Sequence, residues 1–277
     1  AIIIPFYKLT FFEATLQSLA HQIDKRFKVY IGDDASPEDC SALLQKFEGQ
    51  FNFKYHRFET NLGGTSLTQQ WERCIALSNN EEWLMVLGDD DVLDNNVVEE
   101  FYKLIEKNTF DISLIRFNHR VIDEYGELKS MDFQCKKYEN TQDFLDKLLS
   151  MRETITASEF IFSREVYIKN NGFVDFPLAW FSDYATWLLF SKSNGIYQIQ
   201  NASVYWRLSK MNISSKSQDI LEIELKIRSL FLFMSFLQSF FNVEKQKQIS
   251  FAQEHLSGLL SDVTFYNALG VLKKKSI

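Results

Sequence analysis

Apolar and polar positions come in alternating blocks along the first hundred residues. Ile2-Ile3-Ile4 is a β-branched run closed by Pro5, the pattern of a strand buried on both faces. Phe12, Leu16, Leu19, Ala20 and Ile23 recur at helical spacing and predict an amphipathic helix. Phe27 to Ile31 predicts the next strand, Cys40 to about Phe47 a helix, and Phe51 to Phe58 a third strand. Asn61-Leu62-Gly63-Gly64 reads as a turn and about Ser66 to Ser78 as a helix. Trp83 to Leu87 is then an apolar run that stops at Gly88 and is followed at once by Asp89, Asp90 and Asp91. Asp94 is the expected N-cap of a helix whose buried stripe is Val98, Phe101, Tyr102 and Ile105. Strands alternating with helices predict a mostly parallel, right-handed, doubly wound α/β sheet.

The pattern changes after about Asp111. Ile112 to Arg116 and Val121-Ile122 predict strands around a polar turn at Glu124-Tyr125-Gly126. Thr141 to Ser150 predicts a helix with Phe144, Leu145 and Leu148 inward; Phe160 to Phe162 predicts a strand. A helix from Ser163 should end at Gly172-Phe173, where glycine fits a left-handed cap. Tyr184 to Lys192 reads as helix and Val204 to Arg207 as a late strand. From Gln218 onward the chain reads as helical. Ile220, Ile223, Ile227, Leu230, Phe231 and Met234 lie on one face, which Phe233, Phe236, Leu237, Phe240 and Phe241 widen. That face either packs on the preceding lobe or meets a second subunit or a membrane surface, the latter helped by Lys273-Lys274-Lys275. The expected segments are 1–110, 111–215 and a helical extension 216–277.

The acid run after Leu87 carries the chemistry. Adjacent carboxylates repel, and their charged forms are costly in a partly desolvated cleft. A hard divalent cation such as Mg²⁺ removes that cost. In open α/β sheets ligands sit beyond the carboxyl ends of strands, where this run falls. An acidic turn before a helix is the plainer alternative. A second acid pair, Asp33-Asp34, ends the Phe27–Ile31 strand, so two strand tips point to one cleft.

Composition narrows the classes. Net charge of −7 argues against a general nucleic-acid surface. Cys40, Cys74 and Cys135 are odd in number and far apart, which argues against a disulfide framework or a zinc site and fits a reducing compartment. The four histidines form no ligand pair at helical spacing. No signal-peptide pattern is visible; the chain opens at Ala1 already inside an expected strand, which points to further residues upstream. The apolar run Leu230 to Met234 is too short to span a bilayer.

Ile2-Ile3-Ile4-Pro5-Phe6-Tyr7, Gly32-Asp33-Asp34-Ala35-Ser36, Asn61-Leu62-Gly63-Gly64 and Leu87-Gly88-Asp89-Asp90-Asp91 stand in the order and spacing of family 2 glycosyltransferases, which the chain resembles over about residues 1–93. The likeness resumes at Asn171-Gly172-Phe173, Phe181-Ser182-Asp183 and Tyr205-Trp206-Arg207. It implies a GT-A fold, a nucleotide-sugar donor with UDP the commonest, Mg²⁺ or Mn²⁺, and inversion at the anomeric carbon. It implies that Pro5, Phe6 and Tyr7 form the nucleotide-facing turn, that Asp33 and Asp34 meet the nucleobase and ribose, and that Asp90 and its neighbours hold the metal. An extended chain would instead pair Asp89 with Asp91, so all three stand as metal candidates, with Asp89 also a donor contact. Family members usually read Asp-x-Asp-Asp here, and this chain has Gly88 first. Lys8 stands where the family often has Asn, and its Arg-Asn pair has no clear match in Gln69 to Glu72. Ser209 stands where a histidine often follows the arginine.

The resemblance places the general base at Asp183, where a carboxylate of raised pKa suits deprotonating an acceptor hydroxyl; an N-cap role is the alternative, and Asp175 is the second candidate. Arg207 faces either the diphosphate or a surface acid. Trp180, Phe181 and Trp206 stack on sugars or pack in the core. The implied function is a metal-dependent inverting transferase acting on a glycan or lipid-linked acceptor in surface polysaccharide assembly. It would be cytoplasmic, with peripheral contact at the inner membrane face or homodimer contact through the C-terminal helices. A non-catalytic nucleotide-sugar or glycan binder is the alternative; a receiver-type phosphotransfer domain fits neither the chain's length nor the position of its acids.

Overall fold

The computed structural model describes residues 1–107, 111–129, 136–151, 155–212 and 220–274, with side chains up to residue 259. β1 (Ile2–Phe6), α1 (Phe12–Ala20), β2 (Val29–Asp33), α2 (Ser41–Lys46), β3 (Phe53–Arg57), α3 (Leu67–Ile75) and β4 (Trp83–Val86) come first. β5 (Val92–Leu93), α4 (Val97–Lys107), β6 (Leu114–Ile122), β7 (Tyr138–Glu139), α5 (Thr141–Leu149), β8 (Phe160–Ser163) and α6 (Arg164–Lys169) follow. A 3₁₀ turn at Pro177–Ala179, α7 (Ser182–Asn194), β9 (Ile196–Arg207), α8 (Ile220–Phe241) and α9 (Lys245–Lys274) complete the chain.

Among the described residues the strands form one sheet in the order β3-β2-β1-β4-β8-β6-β9-β5, with β7 on β9. β3, β2, β1 and β4 are parallel, joined by the helical crossovers the sequence predicts. Beyond β4 the sheet is mixed: β8 runs antiparallel to β4 and β6, while β6 and β9 are parallel. Side chains alternate across the sheet. Ile2, Ile4, Phe6, Met85 and Leu87 join one core with α1, α2 and α4, and Ile3, Leu84 and Val86 join the other with α3, α5, α7 and α8. The chain passes from β1 to β2 on one side and places β4 on the other. The order therefore reverses between β1 and β4, which opens a crevice at their carboxyl ends.

Several local expectations change. α1 stops at Ala20, and Ile23 is exposed rather than on the buried face. Asp94 does not cap α4; its carboxylate accepts from Ser203 N and Tyr205 OH, both at 2.9 Å, and Gln22 Oε1 takes the free Val98 amide instead. β6 is one nine-residue strand ending at the turn, because β9 pairs with it from Ile115 to Ile122 through a bulge at Phe117/Asn118. Gly172 does follow α6 with φ +89°. On α8 the buried stripe runs through Ile223, Lys226, Ser229, Leu230, Phe233, Phe236 and Leu237, while Ile220 and Phe231 face outward. Gln218, Cys135 and Lys275 lie outside the described residues, as do the side chains of Lys273 and Lys274. No helix among the described residues is long and apolar enough to cross a membrane.

Candidate active site

The crevice is built by carboxylates that fasten strand tips together. Asp89, just past β4, accepts the backbone amides of Tyr7 and Lys8, each at 2.7 Å, and so ties the end of β4 to the end of β1. Asp91 is buried; one oxygen accepts the Arg207 amide at 3.1 Å and the other the Ser158 hydroxyl, tying the same loop to β9 and to the residues before β8. Asp90 differs from both. Among the described residues its side chain accepts no hydrogen bond from another residue, although its backbone carbonyl accepts Arg207 Nε at 3.0 Å. Burial pushes the carboxyls of Asp89, Asp90 and Asp91 upward, and Asp90 repels the other two. The charges of Lys8 and Arg207 oppose the rise at Asp90.

Gly88 has a steric reason. A Cβ built there would lie 2.8 Å from Asp91 Oδ2 and 3.0 Å from Asp90 Oδ1. Both carboxylates thus converge on the space above this residue, and an acid in the family's usual first position would collide with them. Among the described residues no three His, Cys, Asp or Glu side chains form a cage for a metal ion. The half-buried Asp90, which accepts from no other described residue and converges with Asp91, fits a cation that takes its remaining ligands from phosphate and water, as Mg²⁺ commonly does.

The second acid pair is enclosed by protein donors. Asp33 accepts Ser36 N at 2.8 Å and Arg57 Nη1 at 2.7 Å, and Tyr55 OH as well. Asp34 accepts Leu62 N at 2.7 Å and Gly63 N at 2.9 Å, and pairs with Arg73. The Asn61–Gly64 turn is therefore wrapped round Asp34, and a Cβ on Gly63 would fall 2.6 Å from its carboxylate. Arg73 lies one residue past the Gln69–Glu72 window and stacks on Phe58, 3.9 Å from the ring centroid. Neither Arg73 nor Arg57 stands out in the sequence; their position one strand or helix away from an acid is legible only in three dimensions. Pro5 pairs with Gly32 in the β1/β2 register. Phe6 turns its ring into the core, 4.6 Å from Phe12, and leaves Tyr7 as the exposed ring of that turn. Ser36 Oγ donates to the Tyr7 carbonyl at 2.7 Å.

Arg207 is buried at the end of β9. Its guanidinium donates to the Asp90 and Asp123 carbonyls and lies 4.6 Å from the Phe11 ring centroid, so it braces the acid loop rather than pairing with a surface acid. Ser209 closes a turn with Asn212, and Lys8 Nζ donates to the Met211 carbonyl beside it.

Asp183 stands in the first turn of α7, whose N-cap is Phe181. Among the described residues its side chain accepts one hydrogen bond, from Tyr184 N at 2.9 Å. Burial pushes its pKa up to about 7, and the nearby Glu159 carboxylate adds to the rise. Glu159 is itself fully buried, fastened to Arg116 at 2.7 Å, and next in sequence to the Ser158 that holds Asp91. Glu159 thus stands between Asp183, on which its charge acts, and the Ser158 that holds the acid loop. Asp175, the second base candidate, accepts from Thr68 Oγ1 at 2.6 Å, Ser66 Oγ at 3.0 Å and Gln69 Nε2 at 3.0 Å, which engages both of its oxygens. The backbone before Asp183 is strained: Leu178, Ala179 and Phe181 have φ of +59°, +53° and +66°, each costing roughly 1–2 kcal/mol in a residue other than glycine.

A parallel α/β half with carboxylates at its strand tips and a buried acid on its flank define an open α/β architecture with a ligand site beyond its strand ends. The profile of the family described as Glycosyl transferase family 2 matches residues 1–169, and the chain belongs to that family of glycosyltransferases. It is 27% identical over 120 residues to the poly(ribitol-phosphate) beta-N-acetylglucosaminyltransferase TarS of Staphylococcus aureus, in strains Mu50 and MW2; this covers 42% of the chain and 20% of the relative. The matched stretch is therefore about a fifth of the curated relative's length. The crystal structure of S. aureus TarS 1–349 with UDP-GlcNAc superposes with TM-score 0.69 at 17% identity, over 92% of this chain and 70% of that one. The complex with UDP gives 0.66 with the same identity and coverage. The fold is thereby the GT-A fold of those structures.

Proposed function

We propose that the protein is an inverting glycosyltransferase that moves a sugar from a UDP-sugar to a hydroxyl of a glycan or lipid-linked acceptor, in surface polysaccharide assembly at the cytoplasmic face of a membrane. The observation that carries this reading is Asp90, a half-buried carboxylate at the β1/β4 switch point that accepts no side-chain hydrogen bond from any other described residue. Its relatives' bound UDP and UDP-GlcNAc make UDP-N-acetylglucosamine the first donor to test.

The residues would divide the work as follows. Asp90, with Asp91 beside it, would hold Mg²⁺ or Mn²⁺; when bound, such an ion neutralises the charge that grows on a departing diphosphate. Asp89 keeps the two strand tips at fixed separation. Tyr7 offers an exposed ring for the nucleobase, and the enclosed pairs Asp33–Arg57 and Asp34–Arg73 shape the wall below it. Arg207 holds the acid loop against β9 and adds positive charge nearby. Asp183 takes the proton of the attacking hydroxyl, and its raised pKa keeps it basic enough near neutral pH.

The test is UDP release from UDP-N-acetylglucosamine and a panel of other UDP-sugars with Mg²⁺ or Mn²⁺. Turnover in the native protein, with Asp183→Asn inactive but still binding UDP, supports the proposal. Full turnover in Asp183→Asn refutes the base assignment. UDP binding without turnover on any donor would make the chain a binding relative instead.

A further inference from the structure

The segment between Asp175 and Asp183 is a hook whose turns are left-handed at three residues and extended at Phe176 and Trp180, and the C-terminal helices grip it. Leu178, Ala179 and Phe181 all have positive φ, and none is glycine. Such conformations persist only when their surroundings over-determine them. The hook's first end is held by Asp175 on α3 and by Phe176 N, which donates to Ser182 Oγ at 2.9 Å. Its outer side meets α8: Ser229, fully buried, donates to the Pro177 carbonyl at 2.8 Å. Phe181 lies face to face on Phe233, with ring centroids 5.1 Å apart and planes 7° from parallel. Phe251 and His255 of α9 close the other sides of the Phe181 ring, at 5.7 Å and 5.0 Å. Lys226, buried on the same face of α8, lies 4.6 Å from the Trp180 ring centroid. A helical extension that served only as a partner surface would have no reason to bury a serine and a lysine against this loop. These polar residues are also why the buried stripe of α8 departs from the purely apolar one its sequence predicts.

We infer that α8 and α9 act as a brace on the general base, with Ser229 and Phe233 as positioning residues that keep the 177–181 hook left-handed and thereby fix the Asp183 carboxylate. This rests on the reading of Asp183 as the base. Phe181 is the N-cap of α7 and Asp183 is two residues on, so a flip of Phe181 to negative φ would rotate the first turn of α7 and carry the carboxylate with it. The helices never need to touch the donor.

The experiment compares the full chain with Ser229→Ala, Phe233→Leu, Asp183→Asn and Ser229→Ala combined with Ala179→Gly. UDP release from UDP-N-acetylglucosamine gives kcat, and UDP titration with Mg²⁺ gives donor affinity. Ser229→Ala and Phe233→Leu should each lower kcat about 10-fold or more while UDP affinity stays within about 2-fold. Ala179→Gly should recover most of the lost kcat in the Ser229→Ala background, because glycine takes positive φ at no steric cost. A role in general stability alone would lower the melting temperature and UDP affinity together with kcat, whereas a brace lowers kcat in protein that is still folded and binds UDP at the assay temperature. Phe231→Leu, on the outward face of α8 and away from the hook, should keep native kcat. Native kcat in both Ser229→Ala and Phe233→Leu, or loss of UDP affinity in step with kcat, or no recovery with glycine, overturns the brace. Full activity in Asp183→Asn overturns the base reading itself, whatever the brace variants do.

Discussion

The amide of Tyr7 donates to the Asp89 carboxylate at 2.7 Å across the gap between the tips of β1 and β4, and Lys8 N joins it on the same oxygen. One side chain thus sets the width of the crevice. Asp89→Ala leaves two backbone donors without a partner, and each such loss costs on the order of 1–3 kcal/mol. The expected result is a lower midpoint in urea unfolding together with weaker UDP binding. Unchanged stability would mean that water replaces the carboxylate and that the tips are held by the sheet alone.

Gly88 belongs to the same loop. Asp91 is pinned by Ser158 and the Arg207 amide, so it cannot swing away from a Cβ placed 2.8 Å from its oxygen. Gly88→Ala should therefore displace Asp90, the unpinned partner, and weaken Mg²⁺-supported UDP binding at least about 10-fold, with a stability loss of roughly 1–3 kcal/mol. Calorimetric titration reads the first and thermal unfolding the second. Native UDP affinity in Gly88→Ala would show that the two carboxylates need not converge.

Asp183 predicts a pH dependence. Its pKa is raised to about 7 by burial, and a base must be ionised to accept a proton. Turnover should fall as pH drops below about 7; UDP affinity, measured separately, reports the protonation of the Asp89–Asp91 loop, whose carboxyls burial also raises. The sign for stability is the opposite. A carboxyl whose folded pKa is raised weakens the fold as pH climbs from the unfolded value towards 7, because the unfolded chain ionises first. Asp183→Asn should then stabilise the protein at pH 8, by up to a few kcal/mol, and leave it unchanged near pH 3. Equal melting temperatures for native and Asp183→Asn protein at pH 8 would remove the argument that Asp183 is desolvated.

Much of the parallel half was legible in the sequence because β1, β2 and β4 are short apolar runs stopped by proline, glycine or acid, while β3 shows apolar-polar alternation, Phe53 and Tyr55 against Lys54 and His56. β1 to β4 and their crossovers follow from that punctuation and alternation. The second half was less so. β6 and β9 are long because they pair with each other, and Asn118, His119, Arg120 and Tyr205 carry no alternation that says so. Asp94 has the residue type of a cap, but the Ser203 amide and Tyr205 hydroxyl, more than a hundred residues away, claim it first. The acids themselves were easy to find; what each one binds was not. Asp89 and Asp91 look equivalent to Asp90 in sequence, and only the backbone amides that reach the outer two set the middle one apart. The arginines opposite Asp33 and Asp34 and the strained hook before Asp183 leave no local pattern, since Leu178, Ala179 and Phe181 are not among the residues, glycine, Asn and Asp, that mark a left-handed backbone.

The most direct test is a titration of UDP with and without Mg²⁺, on native protein and on Asp90→Ala, followed by isothermal calorimetry. The native protein should bind UDP at least about 10-fold tighter with Mg²⁺ than in excess chelator, and Asp90→Ala should bind equally weakly in both. Equal affinity with and without the cation in the native protein, or an undiminished Mg²⁺ effect in Asp90→Ala, would contradict a donor held through a cation on that carboxylate.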